Sequence, residues 1–237
     1  LPENTLFEET DTYKTYWLQD SIWKDQTYPY IINPTTYAST SGWSLPSDRT
    51  SESATLTSVD TTNNGVTFNL TTSTTDEGGL VRDLGENLGS QWACKFKVEI
   101  DDIHGNDFYF LNFTTGDMQP FSSSNESINI QVQGASYWRF AFNRADNGSQ
   151  TEDTASNSTA SEDTTYYCTV IRDGNNVSWI IRTGSYSGSI VDTLVLDISG
   201  FSGNIRYLQH TTRGNNSSEY LLGWVRDLHI QNGVTTI

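Results

Sequence analysis

The densest run of chemically able side chains is Glu99-Ile100-Asp101-Asp102-Ile103-His104. Strand alternation sets Glu99, Asp101 and Ile103 on one face. A retaining glycosidase needs two carboxyls about 5 to 5.5 Å apart across the sugar, but Ile103 extends that face without an acid. Asp101-Asp102 reads as a strand end, so these carboxylates are expected in a solvated turn. His104, His210 and His229 are scattered, with no H-x-x-x-H or Cys/His spacing that would hold zinc. No G-x-S-x-G elbow occurs among the 27 serines. Gly78-Gly79 precedes a strand rather than a helix, so it is no phosphate loop. These residues lead to the expectation of no catalytic residue and of a chain that is not an enzyme.

Composition narrows the setting. The 237 residues carry 29 acidic side chains against 13 Lys plus Arg, a net charge of -16 that disfavours nucleic acid as a partner. Ser and Thr fill 59 positions (27 and 32) whereas Lys occurs four times, a balance typical of secreted surface proteins. Eight asparagines stand in N-x-Ser/Thr sequons: Asn69, Asn112, Asn125, Asn147, Asn157, Asn176, Asn215 and Asn216. Asn147, Asn157, Asn215 and Asn216 fall in the most polar segments and are the favoured acceptors. No run of 18 apolar residues exists, so no membrane span is expected. The start at Leu1, without an initiator Met or a basic-then-apolar leader, reads as a mature extracellular or cell-surface form.

The elements that would position these groups are strands. Trp92-Cys94-Phe96-Val98-Ile100 alternates with Lys95, Lys97 and Glu99. Similar half-buried patterns run through Val66-Phe68-Leu70, Trp138-Phe140-Phe142 opposite Tyr137-Arg139-Ala141, Val177-Trp179-Ile181, and Leu222-Trp224 followed by Leu228-Ile230. Asp173-Gly174-Asn175-Asn176 is a hairpin turn. No apolar stripe keeps a 3.6-residue period for three turns, so helix is a minor component. Residues 144–163 hold almost no apolar side chain and are expected to be disordered unless a glycan or a neighbouring subunit holds them. Residues 1–50 carry four of the five prolines and nine aromatics, which marks them as an extension packing on its own or a neighbouring domain; residues 51–237 form the main domain.

Four segments carry a resemblance: GGLVRDLGENLGSQWACKFKVEI at 78–100, TYYCTVIRDGNNVSWIIR at 165–182, NIRYLQH at 204–210 and LLGWVRDLHIQNG at 221–233. Together they resemble the concanavalin A-like, laminin-G-like jelly-roll family, in particular the versions found in large surface proteins of archaea and environmental microbes. The likeness spans about residues 55–233; residues 1–50 match it loosely, through Asp11, Tyr13 and Trp23. It implies an all-β sandwich of two antiparallel sheets, a scaffold of lectins, adhesins and some glucanases. The Glu99–His104 run resembles the E-I-D-x-x-E strand of laminarinase-type glucanases, but His104 occupies the second glutamate's place.

Further expectations follow from that resemblance. Cys94 and Cys168 both point into one core, and the family's strand arrangement makes them neighbours, so an oxidising compartment favours a disulfide; two buried thiols are the alternative. No cofactor is required, although a structural Ca²⁺ near the chain ends could use Glu8 or Asp11 with Asp227. As a lectin the domain would offer Tyr137, Arg139, Arg182 and Trp43 to a bound carbohydrate. The favoured reading is a secreted, glycosylated subunit of a filament, sheath or surface layer. It would self-associate through Leu6, Phe7 and Ile237 by strand addition; a carbohydrate-binding module is the alternative.

Overall fold

Period-two alternation carries this chain into strands almost throughout, because each apolar side chain it buries on one side is followed by a polar one on the other. The computed structural model describes residues 6–9, 14–19, 22–25, 30–32, 34–48, 57–70, 78–105, 107–120, 122–133, 138–155, 160–212 and 220–235. Their strands are β1 (Leu6–Glu9), β2 (Lys14–Gln19), β3 (Ile22–Asp25), β4 (Tyr30–Ile32), β5 (Thr57–Asp60), β6 (Gly65–Leu70), β7 (Gly78–Asp83), β8 (Gln91–His104) and β9 (Asp107–Thr114). There follow β10 (Glu126–Gln133), β11 (Arg139–Asp146), β12 (Ser149–Ala155), β13 (Tyr166–Asp173), β14 (Asn176–Thr183), β15 (Ile190–Asp197), β16 (Tyr207–Thr212) and β17 (Tyr220–Asn232). A single 3-10 turn at Pro34–Tyr37 is the helical content among the described residues, and no helix there is long and apolar enough to cross a membrane.

Two antiparallel sheets form the sandwich. One has six strands in the order β12-β11-β10-β9-β16-β7; the other has eight, in the order β15-β14-β13-β8-β17-β6-β5 with β4 paired to β17. Their facing sides make the core. Phe110, Phe113, Ile128, Ile130, Phe140, Phe142 and Leu208 from the first sheet meet Trp92, Phe96, Val98, Val170, Trp179 and Val225 from the second. Trp179 sits at the centre, its ring 5.2 Å from Phe140 and 5.9 Å from Phe142 in edge-to-face contact. The all-β jelly-roll expectation holds.

The sandwich takes in residues 30–48 as well. Ile32 pairs with Ile230, Ser44 bridges to Val81, and Ile32, Tyr37 and Pro46 are buried. The strands β1-β2-β3 form a separate three-stranded meander. Leu6, Phe7 and Glu8 lie on β1, where the description is of backbone pairing with Trp17, Tyr16 and Thr15. Asp11, Tyr137, Asn157, Asn215, Asn216 and Ile237 lie outside the described residues.

Four expectations are corrected. The polar stretch expected to be disordered contains the β11-β12 hairpin, turned by Asn147 at φ 48° and Gly148 at φ 83°. That two-residue turn with both φ positive is the type I′ geometry that Asn-Gly favours, and β12, an edge strand, needs few apolar residues. The disulfide is absent: Cys94 and Cys168 are free, buried thiols. Cys94 is paired with Val170 and Cys168 with Phe96, so the two are diagonal neighbours. Such Cα atoms lie about 7–8 Å apart, beyond the usual disulfide reach of about 4.4–6.8 Å. Two sequon asparagines, Asn112 and Asn125, are fully buried and leave no room for a glycan, whereas Asn69, Asn147 and Asn176 are exposed. Finally, Asp101-Asp102 does not end its strand, since β8 runs on to His104.

Candidate functional site

The Glu99–His104 run is reshaped by a bulge. Gly223 of β17 pairs with Ile100 and Leu222 with Asp102, which leaves Asp101 as the extra residue. Alternation is therefore reset there: Ile103 packs against the core instead of sharing a face with Glu99. The Glu99 carboxylate accepts a short hydrogen bond from the Thr165 hydroxyl. Partial burial, then the charges of Glu99 and Asp163, push the Asp101 carboxyl above its ordinary range. These acids belong to the outer side of the eight-stranded sheet, but not as the pair that alternation suggested.

That outer side is crossed by a register row of Arg226, Lys97, Tyr167 and Arg182 on β17, β8, β13 and β14. Its charges are largely engaged. Lys97 Nζ lies 2.7 Å from Asp227, Arg226 lies 3.5 Å from Asp60, and the Lys97 and Lys95 ammoniums sit over the Tyr167 and Tyr186 rings at 5.6 and 5.2 Å. Asp227 is thus held by Lys97, and no group of three His, Cys, Asp or Glu among the described residues could hold a metal. The other ligands expected for Ca²⁺, Asp11 and the side chain of Glu8, lie outside the described residues.

The outer side of the six-stranded sheet is different. Its strands send apolar residues inward at every second position, as in Ile128, Ile130 and Val132 of β10, and carboxamides outward between them. In register, Gln209 of β16 pairs with Asn112 of β9, Asn112 with Asn129 of β10, and Asn129 with Asn143 of β11. Four amides thus form one row across four adjacent strands. Around it on the same side stand Tyr109, Thr114, Ser127, Gln131, Ala141 and Ala145. Ala141 and Ala145 flank Asn143 on β11 and keep the surroundings of its amide low.

All four row residues are fully buried although they face away from the core. At the Gln209 end the described cover is the segment from Thr115 to Pro120. Gln209 Nε2 donates to Met118 O at 2.6 Å, Thr114 Oγ1 at 2.9 Å and Gly116 O at 3.2 Å. Asn125 fixes that segment from behind, accepting from Gly116 N at 2.8 Å and donating to Met118 O at 2.8 Å. At the row's centre Asn129 Nδ2 donates to Asn143 Oδ1 at 2.8 Å. Polar atoms are left over here: Asn129 Oδ1, Asn143 Nδ2 and Gln209 Oε1 have no hydrogen-bond partner among the described residues. A buried amide atom left so costs about 1–3 kcal/mol, and each case calls for an explanation.

The residues expected to bind carbohydrate are dispersed. Arg139 is on the outer side of the six-stranded sheet, one end of β11, where its guanidinium reaches Gln133 Oε1 at 3.4 Å. Arg182 is on the opposite side of the sandwich. Trp43 closes an edge rather than standing free, its ring 5.1 Å from Tyr37 and 5.5 Å from His210, with the Arg82 guanidinium over it at 5.5 Å. His210 points into the core: Nδ1 bonds to Phe110 O at 3.1 Å and Nε2 lies 2.9 Å from the Tyr37 hydroxyl. The carbonyl requires a proton on Nδ1, so Nε2 accepts from Tyr37, and burial lowers the ring's pKa to about 4. The amide row itself was missed, although amides alternating with Ile and Val in Ile128–Gln133 are its signature.

No protein-family model and no curated protein matches the chain. Solved structures do. The alginate lyase from Klebsiella pneumoniae superposes at a TM-score of 0.56 with 13% identity, covering 86% of this chain and 100% of that one. The CBM2 module of the evolved Dit of Lactobacillus casei BL23 phage J-1 gives 0.56 at 10% identity, covering 88% and 96%. Peanut lectin gives 0.53 at 11% identity, covering 76% and 90%. The chain therefore has the concanavalin A-like jelly-roll fold of these proteins. One expectation is overturned by this: a fold carried at full length by a polysaccharide lyase gives no ground for holding that the chain is not an enzyme.

Proposed function

We propose that the chain is a carbohydrate-binding jelly-roll domain of an extracellular protein, and that its ligand face is the outer side of the six-stranded sheet. The observation that carries this reading is the amide row Gln209-Asn112-Asn129-Asn143, with buried polar atoms left without partners. Carboxamides offer a donor and an acceptor on one rigid plane, which suits vicinal sugar hydroxyls. A binding site of this kind needs few polar groups if they are well placed in a desolvated setting. At the Gln209 end, where Nε2 holds Gly116 O and Met118 O, a ligand would compete with the Thr115–Pro120 segment. The test is affinity electrophoresis and calorimetry of the full chain against a panel of soluble polysaccharides, with Asn129→Leu and Asn143→Leu as site variants. Retention by at least one polymer, lost in both variants, supports the reading; retention unchanged in both refutes it. New reducing ends or unsaturated uronate in the same incubations would report cleavage of the bound polymer.

A second reading, a self-associating surface or filament subunit, has one supporting observation. The β1 strand forms one edge of the β1-β2-β3 meander and pairs on one side only among the described residues, which leaves an edge for strand addition. Deleting residues 1–12 should give a folded monomer if that edge joins subunits; a deletion variant with unchanged oligomeric state excludes it. Exposed Asn69, Asn147 and Asn176 are the acceptors this reading would use for covalent glycan.

A further inference from the structure

We infer that the ligand of the amide face is a neutral, hydroxyl-rich glycan rather than a polymer of uronic acids. The inference rests on the glycan-binding reading above and names the chemistry of its ligand. Gln209 Nε2 is committed to two carbonyls and a hydroxyl, which fixes the orientation of that amide and leaves Oε1 as an acceptor. The Asn129–Asn143 pair leaves one acceptor and one donor. Turning both amides over would exchange the two roles without changing the count. For these atoms the ligand must donate to two acceptors and accept from one donor. Hydroxyls do both, whereas an ionised carboxylate accepts only and would be repelled by the two amide oxygens.

Charge leads the same way. Among the described strand residues directed to this side, Arg139 is the one cation, and it stands at the far end of β11 beside Gln133. The chain as a whole carries -16. A uronate carboxylate brought into this buried row would lose its hydration without gaining a cation, and burying an unpaired charge is strongly unfavourable. A neutral polymer meets no such penalty and is indifferent to the long-range repulsion of an acidic protein.

Calorimetry of the full chain at low ionic strength, with xylan, galactomannan and soluble β-glucan set against alginate and polygalacturonate, tests this directly. The expected result is a neutral polymer bound at least about tenfold more tightly than either polyuronate, a difference of one decade in Kd. Binding should fall by at least about tenfold in Gln209→Leu and Asn129→Leu, and the wild-type ranking stands as a test even if a variant fails to fold. A polyuronate bound as tightly as any neutral polymer, and weakened by the same substitutions, overturns the ligand class while leaving the glycan-binding reading in place. Failure of every polymer in either class overturns both.

Discussion

Acidification between pH 7 and pH 4 should destabilise this fold through a histidine that no ligand needs. His210 is fully buried between Tyr37, Trp43, Phe68 and Phe110, both ring nitrogens are engaged, and burial lowers its pKa to about 4. An unfolded chain releases that proton near pH 6.5. Between those values the unfolded state binds more protons than the folded one, so stability rises with pH and is lost as pH falls through the window. The linkage from these two pKa values is a loss of about 2 kcal/mol between pH 7 and pH 5, and about 3 kcal/mol by pH 4. His229, half-buried and likewise lowered to about 4, adds in the same direction. Asp60, Asp83 and Asp146 have lowered carboxyl pKa values and act below this window, as their folded-state stabilisation fades. Urea unfolding followed by tryptophan fluorescence at a series of pH values measures the effect. In His210→Gln the loss between pH 7 and pH 5 should shrink by about 2 kcal/mol, whatever the variant's stability at pH 7. A variant that keeps the wild-type slope refutes the argument, because the proton would then be binding elsewhere.

Other consequences follow from single contacts. Replacing Asn129 and Asn143 together by Leu removes a buried amide pair with its two unpartnered atoms, so stability should be unchanged or raised, within about 1 kcal/mol, while glycan retention is lost; thermal unfolding and affinity electrophoresis separate the two. Gly223→Ala should cost about 2–4 kcal/mol, because a Cβ there would meet Glu99 O at 2.3 Å; chemical denaturation reads it. Cys94 and Cys168 should resist alkylation in the native protein and react on unfolding, since burial raises the Cys94 thiol and pushes Cys168 up to about 12; mass analysis after brief iodoacetamide treatment decides it. Glu126→Gln should loosen the Ser199–Asn204 loop, because the carboxylate accepts from Ser202 N at 3.0 Å, Ser202 Oγ at 2.8 Å and Gly203 N at 2.5 Å; faster amide exchange at Ser202 and Gly203 is the expected readout.

Much of the fold could be read from alternation alone. The Trp92–Ile100 register, the Asp173–Asn176 hairpin and the closing Leu221–Asn232 strand appear as expected, because burial of one face enforces period two wherever a strand lies mid-sheet. Failures occur where that rule weakens. The β11-β12 hairpin escaped because an edge strand of Thr, Glu and Asp carries no apolar signal, although Asn147-Gly148 was a legible turn. Asp101 was misplaced because one bulged residue shifts the parity of everything beyond it, and nothing in the local sequence marks a bulge that shows only in the pairing with Leu222 and Gly223 of another strand. The cysteines shared a core and adjacent strands as expected; a two-residue offset in register, invisible to alternation, kept them apart.

The amide row shows how a sequon can conceal a site. Asn112 satisfies the N-x-Thr pattern, and in a chain so rich in Ser and Thr that pattern arises easily, so a glycan acceptor was the ready interpretation. Its register partners tell more: Gln209, Asn129 and Asn143 are as buried as Asn112 is, and only the pairing of the consecutive strands β9, β10 and β11 with the distant β16 brings them into line. The sandwich then has two unlike outer sides. On the eight-stranded sheet, cations, carboxylates and tyrosines engage one another, which is how a solvated surface settles. On the six-stranded sheet, buried amides keep capacity to bond that the described chain does not use. Apolar residues of equal volume would have filled that side at lower cost, so retaining four amides in register is the feature a stability argument leaves unexplained and a ligand would explain.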